Sequence, residues 1–369
     1  HSVTRTITNI SYFFKPGLTW SSLSSGNISL RAFGVGYIFD SKGSSMFFVD
    51  ERQKYYVLAL INSKVSMKFL EFLAPTLDFN IGPLSKIPVK LEPKYYKEVD
   101  ALVQDNIDIA KEDWDSFETS WDFQVHPLVS AVSKYSDRFA DPQNIDIATC
   151  YECWANECEK RFNELKTNEV QLNKIFIDVY GLEDEMTPDI TDEEVTVRKA
   201  ELQRDIKGLI SFAVGCMFGR YSLATKGIVY SGGAWPSDKY GSYLPDADGI
   251  IPICDDEYFE DDIVGKFVEF IRVVYGERTL EANLSFIASA LGGKGSARDV
   301  LRNYFINDFY SDHCNTYSVS GSGKRPIYWL FDSGKKNGFK CLIYMHRYHP
   351  DTIARIRTDY VHEQQSRYR

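Results

Sequence analysis

The spacing of apolar and polar positions changes twice along the 369 residues of the chain. Through the first fifty residues aromatic, small and basic side chains alternate, as on half-exposed strands. This pattern predicts strands over 2–14, 30–39 and 45–49, with turns at Ser24-Ser25-Gly26-Asn27 and Ser41-Lys42-Gly43. The period then lengthens. Val57, Leu60, Ile61, Val65, Phe69 and Phe72 predict one amphipathic helix over 54–73, ended by Pro75. Helical spacing continues over 100–121, 148–169, 171–180, 195–223, 261–275, 280–291 and 297–309. The run 209–218 is apolar nearly all round, as in a helix buried on most sides. Strand-like patterning returns at 326–331 and 339–344, a hairpin across the loop 333–338, before a last helix over 351–365. The fold class is therefore α+β. A sheet with a bracing helix leads into a mainly helical region, and a β-hairpin plus helix closes the chain.

Charge sharpens this picture more than composition does. The 44% hydrophobic and 25% charged residues are ordinary for a globular chain, and the longest apolar runs are too short to span a bilayer. The net charge of −10 is unevenly spread. Residues 1–95 carry 11 Lys+Arg against 6 Asp+Glu, residues 96–190 carry 8 against 22, and residues 320–369 carry 10 against 4. Two basic ends flank an acidic middle, so a polyanion is steered to the ends and repelled by the centre. Four segments follow: 1–95, an acidic linker helix over 96–125, a helical spacer over 126–228, and a region over 229–369 ending in a basic hairpin and helix. Seven cysteines spread over a long chain do not form a disulfide framework, and no signal peptide is read, so the expected compartment is the cytoplasm. The first residues, beginning His1-Ser2, already read as mid-domain strand, so a fragment of a longer protein is expected.

Candidate chemistry is sparse. Phe33-Gly34-Val35-Gly36 imitates a cofactor-binding glycine turn, but no βαβ pattern or spaced acidic ribose partner follows it. Ser320-Gly321-Ser322-Gly323-Lys324 imitates a phosphate loop, yet Arg325 stands where a Ser or Thr would touch magnesium. Cys150, Cys153 and Cys158 lack a second ligand pair and read as helix core neighbours. Glu92-Pro93-Lys94 with Asp78 has the acid-x-lysine form of a nuclease, but Pro93 spoils the strand such a site needs. The Asn-Pro-Pro-aromatic tetrapeptide that grips a flipped adenine is absent from the chain. No metal ligand, catalytic residue or cofactor-binding residue is therefore assigned.

The block 15–89 carries a resemblance. Leu58-Ala59-Leu60-Ile61-Asn62-Ser63-Lys64, followed by Gly82-Pro83-Leu84-Ser85-Lys86-Ile87-Pro88-Val89, is similar to the target recognition domain of type I and type IIG restriction-modification proteins. Ile177-Asp178-Val179-Tyr180-Gly181-Leu182, Phe218-Gly219-Arg220-Tyr221-Ser222-Leu223 and Met345-His346-Arg347-Tyr348 resemble the PglX family, adenine-specific DNA methyltransferases of BREX phage-defence systems. The resemblance implies that the segment 1–95 recognises the target sequence in double-stranded DNA. It also implies that the catalytic domain, which holds S-adenosylmethionine, lies N-terminal to this fragment, so that the fragment alone is inactive. In such a module cations set register on phosphates while a few side chains read base edges. Lys15, Lys42, Arg52, Lys54 and Lys64 are the phosphate candidates, Arg31 and Asn80 the base readers, and Trp20 and Tyr37 the aromatic side chains placed to wedge or pack against a sugar. Expected partners are duplex DNA, the missing methyltransferase domain, other defence-system proteins, and an acidic DNA-mimicking inhibitor; no membrane is expected. A protein-docking scaffold and a self-contained nuclease are the alternatives.

Overall fold

The computed structural model describes residues 9–22, 27–40, 43–74, 79–139, 141, 143–318, 325–334 and 338–369. In chain order the strands are β1 (Gly17–Ser21), β2 (Arg31–Phe33), β3 (Gly43–Met46), β4 (Ile250–Ile253), β5 (Tyr328–Asp332) and β6 (Lys340–Tyr344). The main helices are α1 (Arg52–Asn62), α2 (Lys64–Leu73), α3 (Tyr96–Asp115), α4 (Pro127–Lys134), α5 (Ile147–Tyr180), α6 (Leu202–Met217), α7 (Ile263–Tyr275), α8 (Leu280–Leu291), α9 (Ala297–Asn307) and α10 (Phe309–Tyr317). The expected α+β class holds, with two small antiparallel sheets among many helices.

The chain forms two compact units, one of residues 1–112 and 160–198, the other of 113–159 and 199–369. These units cut across the four consecutive segments expected from the sequence, because α5 is one helix of 34 residues that contributes to both. The sequence pattern divided it at Val170, but no Gly or Pro interrupts it there.

In the first unit the sheet order is β2-β1-β3. Leu18 pairs with Ala32 and Met46, and Thr19 with Arg31 and Ser45. Alternation therefore sends Leu18, Trp20, Ala32 and Met46 to one face and Gly17, Thr19, Arg31 and Phe33 to the other. The first set joins a core with Tyr56, Leu60 and Ile61 of α1, Val65 and Leu70 of α2, and Phe176 of α5. The helix expected over 54–73 is two helices, broken at Ser63, whose backbone is extended (φ −79°, ψ 159°) and whose hydroxyl donates to Leu60 O. The strand expected over 2–14 lies partly outside the described residues. Its described end is instead a single 3₁₀ turn at Ile10–Tyr12, followed by Phe14 in the left-handed region at φ 65°.

The second unit is built on α6, in which Ile206, Leu209, Ile210, Phe212, Ala213, Val214 and Met217 are all wholly buried, as the all-round apolar run predicts. Its sheet order is β4-β6-β5. The hairpin β5-β6 was legible, but β4 was not, since Ile250-Ile251-Pro252-Ile253 is short and interrupted by proline. Pro252 is tolerated because β4 is an edge strand and needs no donor on its outer side. All seven cysteines are free and buried, as core neighbours should be.

Candidate nucleic-acid interface

The candidate interface is the sheet face of the first unit opposite its core. Gly17 is the key to it. A Cβ there would lie 2.6 Å from the Met46 carbonyl of β3, 3.0 Å from the Phe33 ring and 3.2 Å from that of Phe47, so glycine lets β3 and both rings close on the strand. Around them Phe33–Phe47, Phe39–Phe47 and Tyr12–Phe47 pack at 6.1, 5.4 and 4.8 Å, a continuous aromatic floor. The rim is open to solvent, with Phe14, Val35, Tyr37 and Ile38 each more than half exposed.

Arg31 projects on this same face, opposite Thr19, and is exposed with no ion-pair partner among the described residues. It is held in place from behind. Asn62, the last residue of α1, accepts from the Leu30 N–H at 2.8 Å and donates to the Leu30 carbonyl at 3.1 Å. This two-bond clamp imitates a strand neighbour and fixes the backbone one residue before Arg31. The sequence pattern, which runs one helix over 54–73, put Asn62 in its interior. Lys15 is exposed at the start of β1, with Nζ 5.4 Å from the Tyr12 ring centre.

The other expected contacts fall elsewhere. Trp20 is a correction to the sequence reading. It is 3% exposed, and its indole donates to Phe79 O at 2.7 Å, because its position in β1 points it into the core. Arg52 is tied to Asp50 at 2.9 Å and Lys54 to Glu51 at 2.8 Å. Lys64 donates to the Asp189 carbonyl and lies 4.0 Å from Glu194. Asn80 is exposed before the short helix Ile81–Leu84. Lys42 lies outside the described residues. Arg31, Lys15 and Tyr37 therefore share the neighbourhood of the outer sheet face, while Arg52, Lys54 and Lys64 have carboxylates or carbonyls of this chain to answer them.

The basic C-terminal region behaves differently from its charge. Arg347 is 9% exposed, donates to Asp246 O at 2.7 Å and Ala247 O at 2.8 Å, and lies over Trp235. Arg355 pairs with Asp248 at 3.0 Å, Arg367 with Asp256, and Lys340 reaches Ile306 O at 3.1 Å. Arg347 and Arg355 dock the tail onto the acidic loop after Tyr243, Arg367 onto the acidic stretch after β4, and Lys340 onto α9. Asp246, Asp248 and Asp261 form the one cluster of metal-ligand type among the described residues. Lys266 is 3.4 Å from Asp246, and the Tyr360 hydroxyl donates to Asp261 at 2.7 Å, so the cluster is answered by cations and a donor of the chain itself. Burial pushes the Asp248 carboxyl up to about 6.

Three buried titratable groups of the second unit have displaced pKa values. Glu118 accepts from Ser211 at 2.5 Å, and its other oxygen is buried without a partner; burial raises its pKa to about 7. His313 accepts from Ile327 N–H and Tyr328 N–H at 2.9 and 3.1 Å, so burial holds it neutral and lowers its pKa to about 4. His126 caps α4 through Leu128 N–H, and burial lowers it to about 3.

The residues do not fit an S-adenosylmethionine cradle. Gly34-Val35-Gly36 lies in the turn after β2, and every pairing among the described strands is antiparallel, so no strand-helix-strand crossover places a helix N-terminus behind that turn. Glu92-Pro93-Lys94 falls at a 3₁₀ turn, where Lys94 is 3.7 Å from Asp178; Asp78 lies outside the described residues.

No family model matches the chain. Two curated proteins do. It is 43% identical over 364 residues to the adenine-specific methyltransferase PglX of Lacticaseibacillus casei (strain Zhang), covering 98% of this chain and 29% of that protein. It is 34% identical over 389 residues to the adenine-specific methyltransferase BrxX of Escherichia coli O9:H4 (strain HS), covering 96% of this chain and 30% of that protein. The chain thus spans under a third of the length of the relatives it matches. Matched over nearly its whole length by part of each, the chain is a segment of the PglX/BrxX-like methyltransferase family.

Proposed function

We propose that this segment binds and reads duplex DNA for an adenine-N6 methyltransferase of bacterial phage defence, and that methyl transfer from S-adenosylmethionine takes place in the part of the protein N-terminal to it. The observation that carries this reading is the outer face of β2-β1-β3. It presents Arg31, unpaired among the described residues and braced by Asn62, beside Lys15 and exposed aromatic rings. The two hydrogen bonds fix the strand at Leu30, one residue before Arg31, and Arg is the side chain that pairs with guanine N7 and O6 bidentately. An acidic protein that imitates the charge pattern of DNA would be drawn to the same face.

The test is binding of the 369-residue chain to duplex DNA at several salt concentrations. Affinity falls with rising salt in proportion to the phosphates neutralised. Arg31→Ala weakens binding to the recognised sequence more than to unrelated DNA, whereas Lys15→Ala weakens both alike and lowers the salt slope by about one. Absence of duplex binding at low salt overturns the reading.

A second reading, docking of a protein partner, is favoured by Trp121. It is 98% exposed on a loop held by Ser120 to Asp115 and by Gly227 N–H to Gln124 O. This loop lies in the acidic middle of the chain, so any partner it takes is basic rather than DNA.

A further inference from the structure

Phe14 combines two properties that rarely coincide. A bulky side chain at φ 65° occupies a region that L-residues avoid, and its ring is nevertheless 62% exposed instead of being repaid by burial. The conformation is imposed by its neighbours. Phe14 N–H donates to Tyr37 O at 2.8 Å, and Gly36 N–H donates to Phe14 O at 3.3 Å. Gly36 itself is at φ 96°, which only glycine adopts readily. The turn after β2 and the turn before β1 thus lock each other and hold Phe14 and Tyr37 out into solvent, 62% and 61% exposed. Beside them Phe13 meets Phe14 at 6.4 Å and Phe39 at 5.2 Å, and Phe33 meets Tyr37 at 6.2 Å, so each exposed ring rests edge-on against another ring.

The charge beside this tip selects its occupant. Lys15 follows Phe14 directly, and Arg31 lies two residues before Phe33 on the same sheet face. Of the nearby carboxylates, Asp40 accepts from Gly43 N–H and Asp50 is paired with Arg52. Rigid apolar rings flanked by cations match flat bases flanked by phosphates.

We propose that Phe14, with Tyr37 beside it, is a wedge that enters the DNA duplex and stacks on a base parted from its neighbour. This rests on the DNA-reading function above and deepens it. A base taken out of the stack leaves its neighbours unstacked, and a preformed aromatic side chain replaces the lost contact. The strain at Phe14 then has a use, because the ring arrives already oriented.

The test compares two duplexes of about 30 base pairs, identical except that one carries a single-nucleotide gap, which removes much of the unstacking cost. The chain is expected to bind the gapped duplex roughly ten-fold more tightly, the scale of one base–aromatic stack. Phe14→Gly removes the ring and relieves the backbone, so the preference disappears while Tm is unchanged or higher. Phe14→Trp keeps a ring and retains the preference. Lys15→Ala weakens both duplexes equally. Equal binding of the two duplexes by the unaltered chain, or a preference that survives Phe14→Gly, overturns the wedge and leaves DNA reading intact. Failure to bind either duplex overturns both. A Phe14→Gly chain that keeps both duplex affinities but loses capture of a protein partner also overturns the wedge and makes the tip a protein-docking site.

Discussion

The two three-stranded sheets of this protein are both antiparallel, and each draws strands from a basic stretch of sequence, yet they use their cations in opposite ways. In β4-β6-β5 the central strand is wholly buried, and Lys340, Arg347, Arg355 and Arg367 are answered by carboxylates and carbonyls of the second unit. In β2-β1-β3 one face is open, and Arg31 and Lys15 meet solvent rather than a described carboxylate. Net charge over a stretch of sequence is therefore a poor guide to charge available to a ligand. What decides it is whether an acidic partner, often far along the chain, folds back onto the cation. Within the basic tail, to which its charge would steer a polyanion, Lys340, Arg347, Arg355 and Arg367 instead dock the C-terminus.

This contrast can be broken experimentally, and the largest effect is expected from acid. His126 and His313 are held neutral by burial, with pKa values of about 3 and about 4 against 6.5 in the unfolded chain. The unfolded state therefore binds more protons, and the stability these residues carry is complete above pH 6.5 and is lost as pH falls toward those values. Glu118 works in the opposite sense. Its raised pKa, about 7 against 4.5, favours the protonated folded form, a contribution present below pH 4.5 and lost as pH rises through 7. Hydrogen exchange at pH 7 and pH 4.5 should show the second unit losing protection on acidification, and Glu118→Gln should make that loss steeper. Equal acid sensitivity of the first unit, which has no described histidine, would remove the distinction.

Next in size is Arg347→Ala. It strips donors from two backbone carbonyls and a cation from beside Asp246, and is expected to destabilise the second unit by roughly 3 kcal/mol in urea unfolding. A loss confined to DNA affinity, with stability intact, would show that the tail faces DNA after all. Arg31→Ala should do the reverse, leaving Tm in place while lowering affinity for the recognised sequence roughly ten-fold. Asn62→Ala removes both bonds to Leu30 and should cost the first unit about 1 kcal/mol. Its effect on DNA binding should be smaller than that of Arg31→Ala and should not alter the salt slope, as befits a residue that positions the reader. Smallest of all is Arg52→Ala, whose exposed pairing with Asp50 should leave Tm unmoved; a large drop in DNA affinity would return Arg52 to the interface.

Much of the local structure was legible because it depends on short-range spacing. The amphipathic helices, the fully buried α6 and the β5-β6 hairpin follow from apolar periodicity alone, and the burial of Cys150, Cys153 and Cys158 follows from their places on α5. The break at Ser63 was not legible. The apolar stripe continues across it, and the helix stops there where Asn62 reaches Leu30, 32 residues away, and the Lys64 N–H donates to Asn173, 109 residues away. Trp20 could not be placed either, since alternation says that two faces differ but not which of them meets the core.

By itself the sequence determined the α+β class, the positions of most elements, the polarity of charge along the chain and the absence of an adenine-gripping tetrapeptide. Tertiary structure alone decided which cations remain available. Arg347 finds the Asp246 carbonyl 101 residues away, while Arg31 finds no carboxylate among the described residues. It alone decided that Phe14, unremarkable in the sequence, is clamped by the Gly36-Tyr37 turn into a conformation it would not choose. Spacing along a chain specifies faces and periods, but pairing between distant residues depends on how the faces meet, and that is where the candidate site is made.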